Sequence, residues 1–338
     1  MLFTIEKYAI RVGSRYLRRY FSKNVDIAVN NTQEFVLQPE DSFTSIRREG
    51  QKSLKIALLG APNVGKSTLV NQLIKRSVCP TSSKVHTTQA KTNAIYCEDD
   101  TQLIFMDTPG TVSENELKRY KLANSFKTDP KVSSHTADII GIVQDTQNLY
   151  TRDKINQNIL KLLTEDIRNK IPMILILNKV DKLKKKEILL HLVNVFSKGK
   201  YSLNFHDIFM ISALTGDGVD DLRTYFLDSA KPGDWQYQNN VYSNLTCEDI
   251  IQQTVRAKLL DNLPNEVPYC LQVRLEHFDV GPNDNINAII SVTCPTKRIV
   301  NLLLNGKGKR LKNIAVVAEK ELRYAFRTSV KLKISVQL

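Results

Sequence analysis

The chain contains no apolar run of about 18 residues, the length a membrane-spanning helix requires. Its five cysteines, Cys79, Cys97, Cys247, Cys270 and Cys294, include no Cys-x-x-Cys pair and no histidine nearby at zinc-ligand spacing. That argues against a zinc module or a disulfide framework. Reduced, mostly buried thiols in a reducing compartment are expected instead. Acidic residues are in deficit, with 35 Asp and Glu against 48 Lys and Arg, a net charge of +13 over 338 residues. An excess of this size points to an anionic partner, either nucleic acid or a lipid surface. The remaining composition, 42% hydrophobic and 25% charged, is that of an ordinary globular protein long enough for two domains and a tail.

Residues 1–24 carry six basic side chains and one acid, Glu6. Arg11, Arg15, Arg18 and Arg19 fall at near-helical spacing, with Ile10, Val12, Tyr16, Leu17 and Phe21 between them. This is the pattern of a basic amphipathic mitochondrial presequence; a secretory signal needs a longer uninterrupted apolar core. The alternative is a surface helix of the mature chain. Residues 25–53 are polar and aperiodic, and read as a linker or processed tail.

From Leu54 short apolar runs recur, "LKIALL" (54–59), "QLIFM" (102–106), "DIIGIV" (138–143), "PMILIL" (172–177) and "DIFMI" (207–211), each too dense for an exposed strand. Alternating with helical stretches, they predict a mostly parallel sheet covered on both faces, with ligands beyond the carboxyl ends of the strands. The first run is followed by Gly60-Ala-Pro-Asn63-Val64-Gly65-Lys66-Ser67-Thr68, a complete G-x-x-x-x-G-K-[ST] loop. Its backbone N–H groups can wrap phosphates, Lys66 can reach the β- and γ-phosphates, and Ser67 can ligate Mg²⁺. The second run ends in "DTPG", which places Asp107 to hold Mg²⁺ through water and the Gly110 amide to meet the γ-phosphate. "NKVD" follows the fourth run, with Asn178, Lys179 and Asp181; the last carboxylate can accept from guanine N1–H and the 2-amino group, which adenine cannot match. The backbone of "SAL", Ser212, Ala213 and Leu214, can contact guanine O6. Four signals in order, each at a strand end, predict a guanine-nucleotide-binding domain over 54–228. In "HTTQAKT" (86–92) either Thr87 or Thr88 could complete the Mg²⁺ shell when GTP is present. Thr111 stands where Ras-like proteins place a water-orienting glutamine, so slow intrinsic turnover is expected and no catalytic base can be named.

Residues 229–240 are rich in turn formers and read as a linker. The remainder, 241–338, predicts a helix (about 246–262), two strands (269–279 and 287–295), two helices joined by a Gly/Lys loop, and a final strand. The order α-β-β-α-α-β with such a loop between helices is a KH-type RNA-binding pattern. The loop would clamp the backbone of single-stranded RNA through Asn305, Gly306, Lys307, Gly308, Lys309, Arg310 and Lys312. From Lys297 to Lys333 eleven basic residues face two acids, Glu319 and Glu321. The alternative is a solvated basic hairpin docked on the first domain.

Taken with "GAPNVGKST", "HTTQAK", "DTPG", "NKVD", "SAL" and "VPYCLQVRLEHF", this pattern resembles the Era GTPases, and with the basic N-terminus their mitochondrial form. The resemblance covers about residues 54–338. It implies an α/β P-loop GTPase domain followed by an α+β type II KH domain, GTP or GDP with Mg²⁺ as ligands, and a K⁺ ion on Asn63. It further implies binding to the 3′ region of small-subunit rRNA during assembly of the mitochondrial small ribosomal subunit, by a monomer in the matrix. The family's KH loop reads G-x-x-G, whereas Asn305 here replaces the first glycine, and a polar Thr111 replaces a usual hydrophobic residue. Two other readings compete. One is a non-catalytic RNA chaperone with GTP as a structural ligand. The other is a GTPase peripheral on the matrix side of the inner membrane, for which the basic amphipathic stretch 180–196 is the candidate surface.

Overall fold

The computed structural model describes residues 50–84, 87–88, 91–111, 125–197, 203–264, 266–281, 284–304 and 308–338. The expected presequence and most of the expected N-terminal linker lie outside them. The strands of the first part are β1 (Lys52–Leu59), β2 (Thr92–Glu98), β3 (Thr101–Asp107), β4 (Ile139–Asp145), β5 (Met173–Asn178) and β6 (Phe205–Met210). They form one sheet in the order β2-β3-β1-β4-β5-β6, parallel except for β2, which runs antiparallel to β3. Helices α1 (Lys66–Leu73), α2 (Ser125–Thr136), α3 (Gln157–Leu162), α4 (Glu165–Lys170), α5 (Glu187–Ser197) and α6 (Val219–Asp228) accompany it. Central strands are buried along nearly their whole length; β5 reads "MILILN" with every residue buried, as a strand covered on both faces must. On one face Phe105 of β3 meets Phe226 of α6 edge to face, with ring centroids 5.6 Å apart.

Three sequence expectations need correction. The run 207–211 belongs to β6, the edge strand, where His206, Asp207 and Met210 are exposed because β5 pairs only one side of it. The basic amphipathic stretch 180–196, expected as a candidate surface, turns its apolar side inward: Val180–Lys182 forms a 3₁₀ turn and α5 starts at Glu187, burying Leu189, Leu192 and Phe196 as a helix of the sheet layer. The linker 229–240 is not free. Lys231–Pro232 form a short strand, β7, antiparallel to the start of β1. The fully buried Gln102 then gathers the segment: its amide donates to Tyr237 O at 2.8 Å and its oxygen accepts from the amides of Gln236 and Tyr237. A buried primary amide costs heavily unless so satisfied, which fixes the path of the chain here. The sole tryptophan, Trp235, donates from its ring nitrogen to Lys52 O and Asp100 O, and residues 242–244 continue along β2 and cover that edge.

The second part comprises α7 (Cys247–Asn262), β8 (Gln272–Val280), β9 (Ile286–Thr293), α8 (Lys297–Leu304), α9 (Lys309–Phe326) and β10 (Val330–Gln337). Thr246 caps α7 in a reciprocal capping box with Asp249. The sheet order is β10-β9-β8, with β9 and β10 parallel and β8 antiparallel to β9. Residues 269 and 270, read as the start of a strand, belong instead to a 3₁₀ turn, Val267–Cys270, with Pro268 near its start. The helices pack through Ile314, Ala318, Leu322 and Phe326 of α9 and Ile251, Val255 and Leu259 of α7, all buried. Cys79, Cys247 and Cys294 are buried; Cys97 is only partly covered and Cys270 is exposed, because the 3₁₀ turn carries it on the surface.

Candidate nucleotide site and nucleic-acid interface

The loop between β1 and α1 passes through two left-handed residues, Asn63 (φ 61°) and Gly65 (φ 97°). Gly65 is required twice over: its φ disfavours a side chain, and a Cβ there would lie 2.5 Å from Asn178 Nδ2. Asn178 is a buried hub. Its Nδ2 donates to Val64 O at 2.8 Å, and its Oδ1 accepts from Lys179 N at 2.8 Å and Ala213 N at 2.9 Å. One amide thus ties the phosphate loop, "NKVD" and "SAL" together. Lys179, itself left-handed at φ 68°, donates from Nζ to Asn63 O and to Asp145 Oδ2, both at 2.7 Å. Ser212 Oγ donates to Asp181 Oδ1 at 2.7 Å and orients that carboxylate, while Leu214 is largely exposed beside it.

At the phosphate end, Lys66 is buried and donates to Gly60 O and Ala61 O, each at 3.1 Å. Burial lowers its pKa to about 8, against the raising influence of Asp107. Ser67 Oγ donates to Asp107 Oδ2 at 2.7 Å and lies 3.0 Å from Thr88 Oγ1. Asp107 Oδ1 is buried with no hydrogen-bond partner among the described residues. Burial pushes this carboxyl up, while the Ser67 hydroxyl and the Lys66 charge pull it down. Converging hard oxygens with one orphaned carboxylate oxygen fit Mg²⁺. The two switch threonines separate here: Thr88 joins the set, whereas Thr87 Oγ1 turns away to donate to Lys84 O at 3.0 Å. Gly110 lies against Pro62, where a Cβ would come within 2.8 Å of the backbone. Thr111 is buried with its hydroxyl 3.5 Å from Gly60 O, so it points into the protein. An open cleft of about 450 Å³ runs over Lys66, Ser67 and Thr68 to Thr81, Thr88 and Gly110.

Sequence reading missed several supporting residues. Asn71 grips Cys79 from both sides, Nδ2 to Cys79 O at 2.7 Å and Cys79 N to Oδ1 at 2.9 Å, and so starts the switch loop. Asp129 of α2 accepts from Lys91 N at 2.6 Å and fixes the loop's far end. Asp145 was legible as an acid closing a strand. The other two act on backbone through the fold, and no local pattern marks them.

Of the residues expected to contact RNA, Asn305, Gly306 and Lys307 lie outside the described residues. Gly308 caps α9 at φ 75°, with open space around its Cα, so backbone angle alone selects glycine. Lys309, Arg310 and Lys312 are exposed on the first turn of α9, which has no acid. Cations there oppose the helix dipole, an arrangement that an incoming anion relieves.

Comparison with known proteins places this geometry. A family profile described as "50S ribosome-binding GTPase" matches residues 55–179, the nucleotide-binding part. "GTPase Era, mitochondrial" of Danio rerio is 30% identical, over 93% of this chain and 81% of the relative. The chain belongs to the Era family of GTPases. "GTPase Era" of Brucella suis is 31% identical over 84% of this chain and 87% of its own length. The Era likeness extends to structure: a crystal structure of Era in complex with MgGDPNP and nucleotides 1506–1542 of 16S ribosomal RNA superposes with a TM-score of 0.71 at 27% identity, covering 85% of this chain and 93% of the other. An Aquifex aeolicus Era bound to GDP and tetrafluoroaluminate gives 0.72 at 26% identity, over 85% of this chain and 94% of the other. The chain is accordingly a GTP-hydrolysing enzyme, built as an Era-type P-loop domain with a KH domain after it.

Proposed function

We propose that this chain is a mitochondrial GTPase that binds small-subunit ribosomal RNA through its C-terminal domain and acts in assembly of that subunit. In this reading Gly60, Asn63, Val64, Gly65, Lys66, Ser67, Thr68 and Gly110 hold the phosphates. Asn178, Lys179, Asp181, Ser212, Ala213 and Leu214 hold guanine, and Ser67, Thr88 and Asp107 hold Mg²⁺, which when bound neutralises charge on the β- and γ-phosphates. Asn63 Nδ2 donates to Ser83 O at 2.7 Å, which leaves its Oδ1 as the atom suited to a K⁺ ion. Lys309, Arg310 and Lys312, with Asn305, Gly306, Lys307 and Gly308, form the RNA clamp. The matrix is the setting, and a monomer is the working form. No described helix is long and apolar enough to cross a membrane.

The observation that carries the reading is the seam between the two parts. Asp261, at the end of α7, accepts from Ser82 Oγ at 2.9 Å, Ser83 N at 2.8 Å and Ser83 Oγ at 2.7 Å. Lys84 Nζ donates to Leu263 O at 2.5 Å, and Lys258 Nζ to Thr81 O at 3.2 Å. Arg76, just after α1, stacks 3.7 Å over the Tyr242 ring and donates to Ala325 O at 3.2 Å. The segment that runs into Thr88 is thus held by the RNA-binding domain itself. A loop that closes on GTP must pull on these bonds, so nucleotide state and RNA grip share one set of contacts.

Sedimentation of epitope-tagged protein from mitochondrial lysate tests this. With a non-hydrolysable GTP analogue the wild type should travel with small-subunit particles, and Lys66→Ala should stay at the top of the gradient. Wild type that remains at the top, or travels with the large subunit, sinks the proposal.

A further inference from the structure

We infer that the exposed face of α9 is an RNA track that continues from the loop to the domain seam, with Tyr324 as the stacking platform at its far end. The inference rests on the RNA-binding reading above and extends it beyond the loop.

The face is defined by periodicity and exposure. Lys309, Asn313, Val316, Lys320 and Tyr324 succeed one another at helical spacing, flanked by Lys312, Val317 and Arg323, and all are exposed. Val316 is 54% exposed, Val317 40% and Tyr324 51%, three large apolar side chains facing solvent on a single helix. The opposite face, with Ile314, Ala318, Leu322, Ala325 and Phe326, is buried, so the exposed valines are not needed for the core. Isolated apolar side chains at a surface need no explanation, but a basic-apolar stripe along one face does.

The charges identify the occupant. Lys309, Lys312 and Lys320 have no ion-pair partner among the described residues. The two acids of α9 are engaged elsewhere: Glu321 pairs with Lys258 and accepts from Thr81 Oγ1, and Glu319 accepts from Leu332 N at 2.8 Å and pairs with Arg323 at 3.6 Å. A second copy of the chain would set lysine against lysine across this face. A single-stranded nucleic acid supplies what the stripe lacks, phosphates for the lysines and base faces for Val316, Val317 and Tyr324. The span from Lys309 to Tyr324 is about 22 Å, which carries a strand well beyond the roughly four nucleotides that a KH loop clamps.

The end of the track is informative. Tyr324 is flanked by the residues that join the two domains: Ala325, whose carbonyl accepts from Arg76, and Glu321, which receives Thr81 and Lys258. RNA stacked on Tyr324 would therefore end on the same turn of α9 that joins the two domains.

The test uses the full chain and fluorescence anisotropy with two unstructured RNAs of adenosine and cytidine, one of about four nucleotides and one of about ten. The longer RNA should bind the wild type at least about tenfold more tightly. Tyr324→Ala should weaken the longer RNA by roughly five- to a hundredfold, the loss of one base stack, and leave the shorter within about twofold. Tyr324→Phe should retain the longer RNA's affinity, and Lys320→Glu should lower both its affinity and its salt dependence. Unchanged GDP affinity and circular dichroism exclude misfolding of these surface variants. Equal effects of Tyr324→Ala on both RNAs, or none on either, would overturn the track while leaving the loop as a clamp. A shift in sedimentation of Tyr324→Ala with RNA affinity intact would make the face a protein contact instead. If the wild type binds neither RNA, the RNA-binding reading itself fails, and the track with it.

Discussion

Lys66 should take up a proton when nucleotide binds, and the amount is calculable. Among the described residues its ammonium has two carbonyl acceptors and the Asp107 carboxylate beside it, and burial brings its pKa down to about 8. Phosphates would add negative charge beside it and restore the protonated form. With the free pKa at about 8, the lysine is roughly 10% deprotonated at pH 7 and roughly 75% at pH 8.5, so GDP binding should take up about 0.1 and about 0.8 proton respectively. The sign is fixed by the depressed pKa of the free form: affinity falls as pH rises through 8, approaching tenfold per pH unit above it. Calorimetric titration in two buffers of different ionisation enthalpy measures the uptake. Lys66→Arg sets the baseline, since its guanidinium stays charged throughout. Uptake that does not rise between the two pH values, or that rises equally in Lys66→Arg, would refute the reasoning and mean that Lys66 is fully charged before nucleotide binds.

Asp181→Asn should weaken GDP by about a hundred- to ten-thousandfold through loss of two charge-assisted bonds, and should favour xanthosine diphosphate; competition binding with both nucleotides decides it. Asp261→Ala should raise hydrogen exchange at the Ser83 amide about fivefold, for a loss of about 1 kcal/mol, with exchange in β5 unchanged; protection that persists would show that Asp261 does not hold the switch segment. Cys270 should react with a thiol reagent in the folded protein, while Cys79, Cys247 and Cys294 should react only on unfolding. Burial also pushes the thiols of Cys79, Cys247 and Cys294 up, so the reactive thiolate form is further suppressed at neutral pH.

Legibility in the sequence followed the physics. Strands β1, β3, β4 and β5 announced themselves because a strand covered on both faces must be apolar throughout, and the phosphate loop did so because only glycine tolerates φ 97° against Asn178. Helix α9 was legible as the second of the two helices that the Gly/Lys loop joins. Strand β2, "TNAIYCE", escaped because an edge strand alternates and carries polar residues. β7 escaped because two residues with a proline have no pattern of their own; they are strand only because β4 pairs β1 from Ile56 onward and leaves Lys52 and Ser53 open on that side. At the site, residues that touch nucleotide sit in recognisable strings. Asn71, Asp129 and Asp261 act on backbone across 8 to 178 residues of separation, which sequence spacing cannot reveal.

The central claim is that this GTPase grips small-subunit rRNA through the loop and helix of its C-terminal domain. RNA crosslinking with site mapping in mitochondria tests it most directly, comparing the wild type with a Lys307→Asp/Lys309→Asp variant. The account predicts a crosslink near the 3′ end of the small-subunit rRNA that disappears in the variant. Crosslinks elsewhere, or ones indifferent to those two charges, would contradict it.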